Sequence, residues 1–119
     1  MTSYTGIDDL TVSLDGNVLS VTFNRPDSLN SLTEDMLTAL AETLERAADD
    51  PGVRVVRLAG AGRGFCSGAG ISAEDRAAAT KSTAVDGTLG AANRAVRAIV
   101  ASPKPVVAVV DGPAAGVGV

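Results

Sequence analysis

The chain has 119 residues, enough for one domain with a core, because a chain of this size buries roughly two-thirds of its unfolded surface. Its 45% hydrophobic and 20% charged residues exclude a disordered chain, and a net charge of −4 without a basic run argues against a nucleic-acid partner. Histidine is absent and the cysteine is single, which removes Ser-His-Asp and Cys-His catalysis, His-based metal sites and an internal disulfide.

The N-terminal residues Met1 to Gly6 lack the basic and apolar regions of a signal peptide, and no apolar run approaches the length of a membrane span. With one cysteine, a reducing cytoplasm is the expected location. Leu10, Val12 and Leu14 alternate with polar residues, as a half-buried strand does. Asp15-Gly16 then signals a type I′ hairpin turn, and Val18 to Phe23 forms the second strand with Leu19, Val21 and Phe23 on one face. Asn24 to Ser31 is a turn-rich connection. Thr33 is the expected N-cap of a helix with Glu34 and Asp35 in its first turn; Ser31 with Glu34 fits a capping box two residues earlier. Met36, Leu37, Leu40, Leu44 and Ala47/Ala48 recur at helical spacing until Asp50-Pro51-Gly52.

Val53 to Ala59 reads as a strand, followed by a glycine-rich turn over Gly60–Gly70. Residues 72–88 read as an Ala-rich polar loop with some helix. Ala92, Val96, Ile99 and Val100 mark another amphipathic helix, stopped at Ser102-Pro103. Val106 to Val110 has no polar alternation and is expected to be a strand covered on both faces. A second glycine turn, Gly112 to Val119, follows it. Strand–helix–strand units imply parallel neighbours, and open α/β sheets bind ligands beyond the carboxyl ends of their strands, where both glycine turns lie.

Each turn has a bland and a functional reading. Gly60–Gly70 is neither a dinucleotide fingerprint nor a P-loop, and it could serve only as a flexible connection. Phe65-Cys66-Ser67 inside it points instead to a turn pinned into the core, able to hold N–H groups still. Gly112–Val119 could be a close-packed helix start, or a second set of donors suited to an anion. Arg25 in the first connection is either a turn residue or a phosphate contact. Cys66 reads as an inert buried thiol, and Glu34, Glu42, Glu45 and Glu74 as surface carboxylates without an acid–base pairing.

Three segments together resemble the crotonase superfamily of enoyl-CoA hydratases and isomerases: Asn24-Arg25-Pro26 with Asn30, the Gly60-Ala61-Gly62-Arg63-Gly64-Phe65-Cys66-Ser67-Gly68-Ala69 turn, and the stretch from Lys104 to Gly118. Their order and spacing run over nearly the whole chain. The resemblance implies an α/β crotonase-like fold, a spiral of strand–helix–strand units, with residues 1–119 as the N-terminal part of one domain, truncated before the family's C-terminal helices.

It also implies acyl-CoA chemistry, with addition of water to a 2-enoyl-CoA in fatty acid metabolism as the expected parent reaction. The oxyanion donors would be the backbone N–H groups of Ala69 and Val117. Ala69, Gly70, Ile71 and Ser72 would lie along the CoA arm, with Arg25 and Leu29 near its nucleotide end. No metal and no separate cofactor is implied, CoA being part of the substrate; the parent would be a homotrimer or a dimer of trimers. Two positions depart from the pattern: Gly70 stands for the usual Asp and Val117 for the usual Gly. The family's first catalytic glutamate would fall at position 120. A non-catalytic acyl-CoA-binding or assembly paralogue is the alternative, and an unrelated nucleotide-binding α/β domain the third reading.

Overall fold

Alternating side chains build a hairpin from β1 (Leu10–Asp15) and β2 (Val18–Phe23), paired antiparallel from Leu10↔Phe23 to Asp15↔Val18. The structure, a computed structural model, describes residues 4–68, 82–115 and 118. Leu19, Val21 and Phe23 share the buried face, as expected. The turn differs from the sequence reading. Its two loop residues are Gly16 and Asn17, and only Gly16 has positive φ (62°). A type I′ turn needs positive φ at both positions, so the φ pattern is that of type II′ with glycine first.

After a 3₁₀ turn at Pro26–Ser28, helix α1 spans Glu34–Ala48. Thr33 is its N-cap: the hydroxyl oxygen accepts from the Met36 N–H at 3.2 Å. Ser31 is not used as a cap. It is buried, with its hydroxyl donating to Ser28 Oγ and accepting from Arg25. Met36, Leu37, Leu40, Ala41, Leu44 and Ala47 form the buried stripe that meets the sheet.

β3 (Val55–Gly60) pairs parallel with β2, and β4 (Val106–Val109) pairs parallel with β3, giving the order β1-β2-β3-β4. The parallel neighbours follow from the helical crossovers. Helix α2 runs from Ser82 to Ala101 and packs along α1. The helix therefore takes residues 82–88 of the segment read as a loop with some helix, and begins well before the Ala92 at which the amphipathic pattern starts; residues 72–81 lie outside the described residues. Few large side chains mark those positions, so the periodicity gave no signal there.

Among the described side chains of α2, Ala91, Ala92 and Ala95 are buried, with Val96 and Val100 exposed. Small residues win the α1-facing positions because they allow two helices to approach closely. Arg94 spans the same interface, donating from Nε and Nη2 to the two carboxylate oxygens of Glu45 at 2.9 and 2.7 Å. No described helix is long and apolar enough to cross a membrane.

β4 corrects another expectation. Val107 and Ala108 are exposed and Val106 and Val109 only partly buried, so neither face of this strand is fully covered among the described residues. An unbroken apolar run reports what a strand would bury, not what lies against it. At its base, Lys104 Nζ donates to the carbonyls of Ala47 and Asp50 at the end of α1. Asp50 in turn accepts from Tyr4 Oη at 2.7 Å and from the Gly52 N–H at 2.8 Å.

Candidate functional site

The first glycine turn is pinned. Phe65 and Cys66 are buried, and the Phe65 ring meets Phe23 edge-on with centroids 5.3 Å apart and planes at 72°. The Phe65 and Cys66 N–H groups both donate to Pro113 O, at 3.0 and 3.1 Å. The Ala115 N–H donates to Cys66 O at 3.0 Å, and Cys66↔Ala114 forms a parallel bridge. The two glycine turns are thus joined side by side beyond the ends of β3 and β4. The approach is close: a Cβ on Gly112 would collide with the Arg63 carbonyl, and one on Gly118 would lie 3.0 Å from Cys66 Sγ or nearer to its backbone. Glycine is required at both positions by space rather than by φ.

The Asn24–Ser31 connection packs against the same turn. The Ser67 N–H donates to Leu29 O at 3.0 Å, Ser67 Oγ donates to Ser28 O at 3.0 Å, and the Leu32 N–H donates to Gly68 O at 2.7 Å. Arg25 Nη1 donates to both the carbonyl and the hydroxyl of Ser31, each at 3.0 Å. Leu29 and Asn30 are the described non-glycine residues with positive φ, 53° and 59°.

Of the sequence-derived site residues, Arg25 and Leu29 lie on this connection, beside the glycine turn. Ala69, Gly70, Ile71, Ser72 and Val117 lie outside the described residues. Asn30 carried weight in the sequence only as part of a motif. The structure buries its amide between the connection and the glycine turn. The tolerance of asparagine for left-handed backbone in Pro-containing turns was the available signal.

Cys66 Sγ accepts from the Gly68 N–H at 3.4 Å, and burial pushes its thiol above the ordinary value, which fits the inert reading. It also lines an apolar cleft of about 230 Å³ that reaches Gly118 and runs between α1, α2 and β4. The cleft is walled by Phe23, Leu40, Leu58, Ile99, Val106 and Val110 among others, and no carboxylate lines it among the described residues. Glu34, Glu42 and Glu45 lie on the outer surface of α1. Among the described residues no His/Cys/Asp/Glu group could hold a metal ion.

Known proteins share both sequence and fold with this chain. A 1,2-epoxyphenylacetyl-CoA isomerase of Escherichia coli is 41% identical over 106 residues, which cover 85% of this chain and 39% of that protein. The enoyl-CoA hydratase EchA19 of Mycobacterium tuberculosis is 33% identical over 89% of this chain and 40% of its own length. The crystal structure of an enoyl-CoA hydratase from Mycobacterium avium subsp. paratuberculosis superposes with a TM-score of 0.81 at 54% identity, covering 94% of this chain and 42% of that one. The chain therefore spans about two-fifths of the length of these relatives. Its α/β architecture is the crotonase fold. The sequence model of the enoyl-CoA hydratase/isomerase family matches residues 18–119, and the chain belongs to that family.

Proposed function

We propose that this chain contributes the oxyanion-binding half of a cytoplasmic enzyme acting on acyl-CoA thioesters, with hydration of a 2-enoyl-CoA in fatty acid metabolism as the parent reaction. The observation that carries the reading is the Cys66↔Ala114 bridge. Ala69 follows Cys66 by three positions, as Val117 follows Ala114, so the two assigned donors stand equally far along two chains bridged in parallel. The Gly68 carbonyl, the last described group before the assigned Ala69 donor, is held by the Leu32 N–H, so the turn is fixed up to that position.

In this mechanism the two N–H groups hold the thioester oxygen as it gains enolate character. One such donor is worth about 3–4 kcal/mol of transition-state stabilisation. Arg25 and Leu29 attend the nucleotide end of CoA, and Ala69 to Ser72 follow its arm. Deprotonating water and delivering a proton to carbon need general acid–base groups, commonly worth roughly 10²–10⁴-fold. The chain has no histidine, and among the described residues the cleft lining has no carboxylate. The 119-residue chain therefore binds the thioester without hydrating it, and the acid–base pair and trimer contacts belong to the rest of the parent.

Titration of the 119-residue chain with acetyl-CoA labelled with ¹³C at the carbonyl tests the proposal. Saturable binding with a downfield carbonyl shift is expected. Binding of NAD or ATP in place of acetyl-CoA would overturn the acyl-CoA reading. Turnover of a 2-enoyl-CoA by the mass-verified chain would overturn the claim that acid–base groups must come from elsewhere.

A further inference from the structure

We infer that Asn30 is a positioning residue for the proposed thioester site: its amide sets the distance between the connection at 24–31 and the glycine turn at 60–68. The inference rests on the acyl-CoA reading for its purpose, but not for its geometry. Three bonds carry it. Asn30 Oδ1 accepts from the Arg25 N–H at 2.8 Å, while Nδ2 donates to Ala61 O and Gly64 O, both at 2.9 Å. The side chain is fully buried. One planar amide therefore spans both loops, with its acceptor on one and both of its donors on the other.

The backbone supplies an independent observation. Leu29 and Asn30 are consecutive residues in the left-handed region, a conformation that is unfavourable for leucine in particular. Backbone strain persists where its surroundings over-determine it, and it concentrates at functional sites. Here the strained pair turns Leu29 O toward the Ser67 N–H while the Asn30 N–H donates to Arg25 O at 2.8 Å. The contact is tight: a Cβ on Gly60 would lie 2.8 Å from Asn30 Nδ2. Asparagine alone combines tolerance of this φ with one acceptor and two donors on so short a stem. Aspartate has the same shape but presents only acceptors when ionised, so it would face two carbonyl oxygens with a negative charge.

The test is Asn30→Asp, with Asn30→Gly beside it, in the complete 119-residue chain. The Asp variant keeps the bond from Arg25 N–H and loses both donations at pH 8. At pH 5 its carboxyl is partly protonated, because burial against carbonyl oxygens raises its pKa above the ordinary value of about 3.9. One O–H donation then returns. The Gly variant keeps the left-handed backbone and loses the amide altogether.

Amide hydrogen exchange without ligand decides the geometry. Protection factors at Gly64–Gly68 should fall about tenfold or more in Asn30→Asp at pH 8 and recover in part at pH 5. They should fall at both pH values in Asn30→Gly. Protection in the β1–β2 hairpin should hold throughout. Unchanged protection at Gly64–Gly68, or loss shared equally with the hairpin, overturns the inference. With [1-¹³C]acetyl-CoA bound, the downfield carbonyl shift should shrink in Asn30→Asp at pH 8 and return toward the parent's at pH 5. An unchanged shift would overturn the positioning role. If the unsubstituted chain leaves the acetyl-CoA carbonyl as it is in water, the thioester reading fails, while the exchange result still decides what Asn30 does.

Discussion

Two sets of valines in one sheet have opposite fates. Val21 in β2 and Val56 in β3 are 0% exposed beneath α1, whereas Val107 in β4 and Val110 just after it are 50% and 54% exposed. The residue type and the strand geometry are the same. What differs is the cover: α1 seats Met36, Leu37 and Leu44 on the first set, α2 faces Val110 only across the cleft through Ala95, Val96 and Ile99, and Val107, in register with the exposed Arg57, lies on the sheet face that turns away from both helices. Apolar strand sequence is thus a statement about potential burial. The energy arrives only when a second layer closes.

Breaking the covered side should have the largest effect. Leu44→Ala removes a fully buried side chain and should lower the unfolding free energy by about 2–5 kcal/mol, read as a shift of the urea midpoint. A loss well under 1 kcal/mol would mean that the α1 interface is loosely packed.

Next comes the anchor at the base of β4. Lys104→Met keeps the aliphatic stem and removes the donations to Ala47 O and Asp50 O. It should cost about 1–2 kcal/mol, because both carbonyls keep backbone donors in Asp50 and Val53. In hydrogen exchange, the loss should concentrate in β4 and the end of α1.

Val107→Thr with Val110→Thr sharpens the contrast from the open side. These changes should move the urea midpoint by less than about 0.5 kcal/mol in free energy, since the residues are already half in water. They should, however, lower concentration-dependent self-association in sedimentation, which exposed apolar surface promotes. Equal association in the double variant would place the sticky surface elsewhere.

The smallest effect is a titration. Burial first, then the hydrogen bond to Asp50, pushes the Tyr4 phenol up to about 12, against a smaller opposing effect of Arg46, whose guanidinium lies 4.8 Å from the ring centroid. A raised folded pKa contributes stability that is whole below the ordinary value near 10 and is lost as pH rises through about 12. Asp50 runs the other way. Its carboxyl is held below the ordinary value, first by the Tyr4 hydrogen bond, so its contribution is present at neutral pH and lost in acid. In Asp50→Asn, phenolate absorbance should appear at lower pH than in the parent chain.

Much of this architecture was legible from local chemistry. The hairpin, the Thr33 cap, the α1 stripe and the parallel strands all follow from periodicity and turn residues within a few positions of one another. Most of the misreadings share a cause. The Gly16 turn was a local misreading, since glycine at the first loop position suits type II′. The start of α2, the exposure of Val96 and Val100 and the open faces of β4 each depend on groups distant in the chain. So does Asn30. Its motif was visible, but the carbonyls it reaches are Ala61 and Gly64, more than 30 positions away. Of the candidate site, the sequence showed that two glycine turns follow two strands. That Cys66 and Ala114 would be bridged could be learned only from the sheet that brings them together.

The strand order β1-β2-β3-β4 repeats the order of synthesis. On a ribosome, each strand emerges when the neighbour it will pair with is already present, and no strand has to be inserted between two earlier ones. The sheet is a structure that grows at one border. Every new strand–helix unit extends that border by one strand and brings its cover with it. The half-exposed Val107 and Val110 mark where that border stands in the described structure.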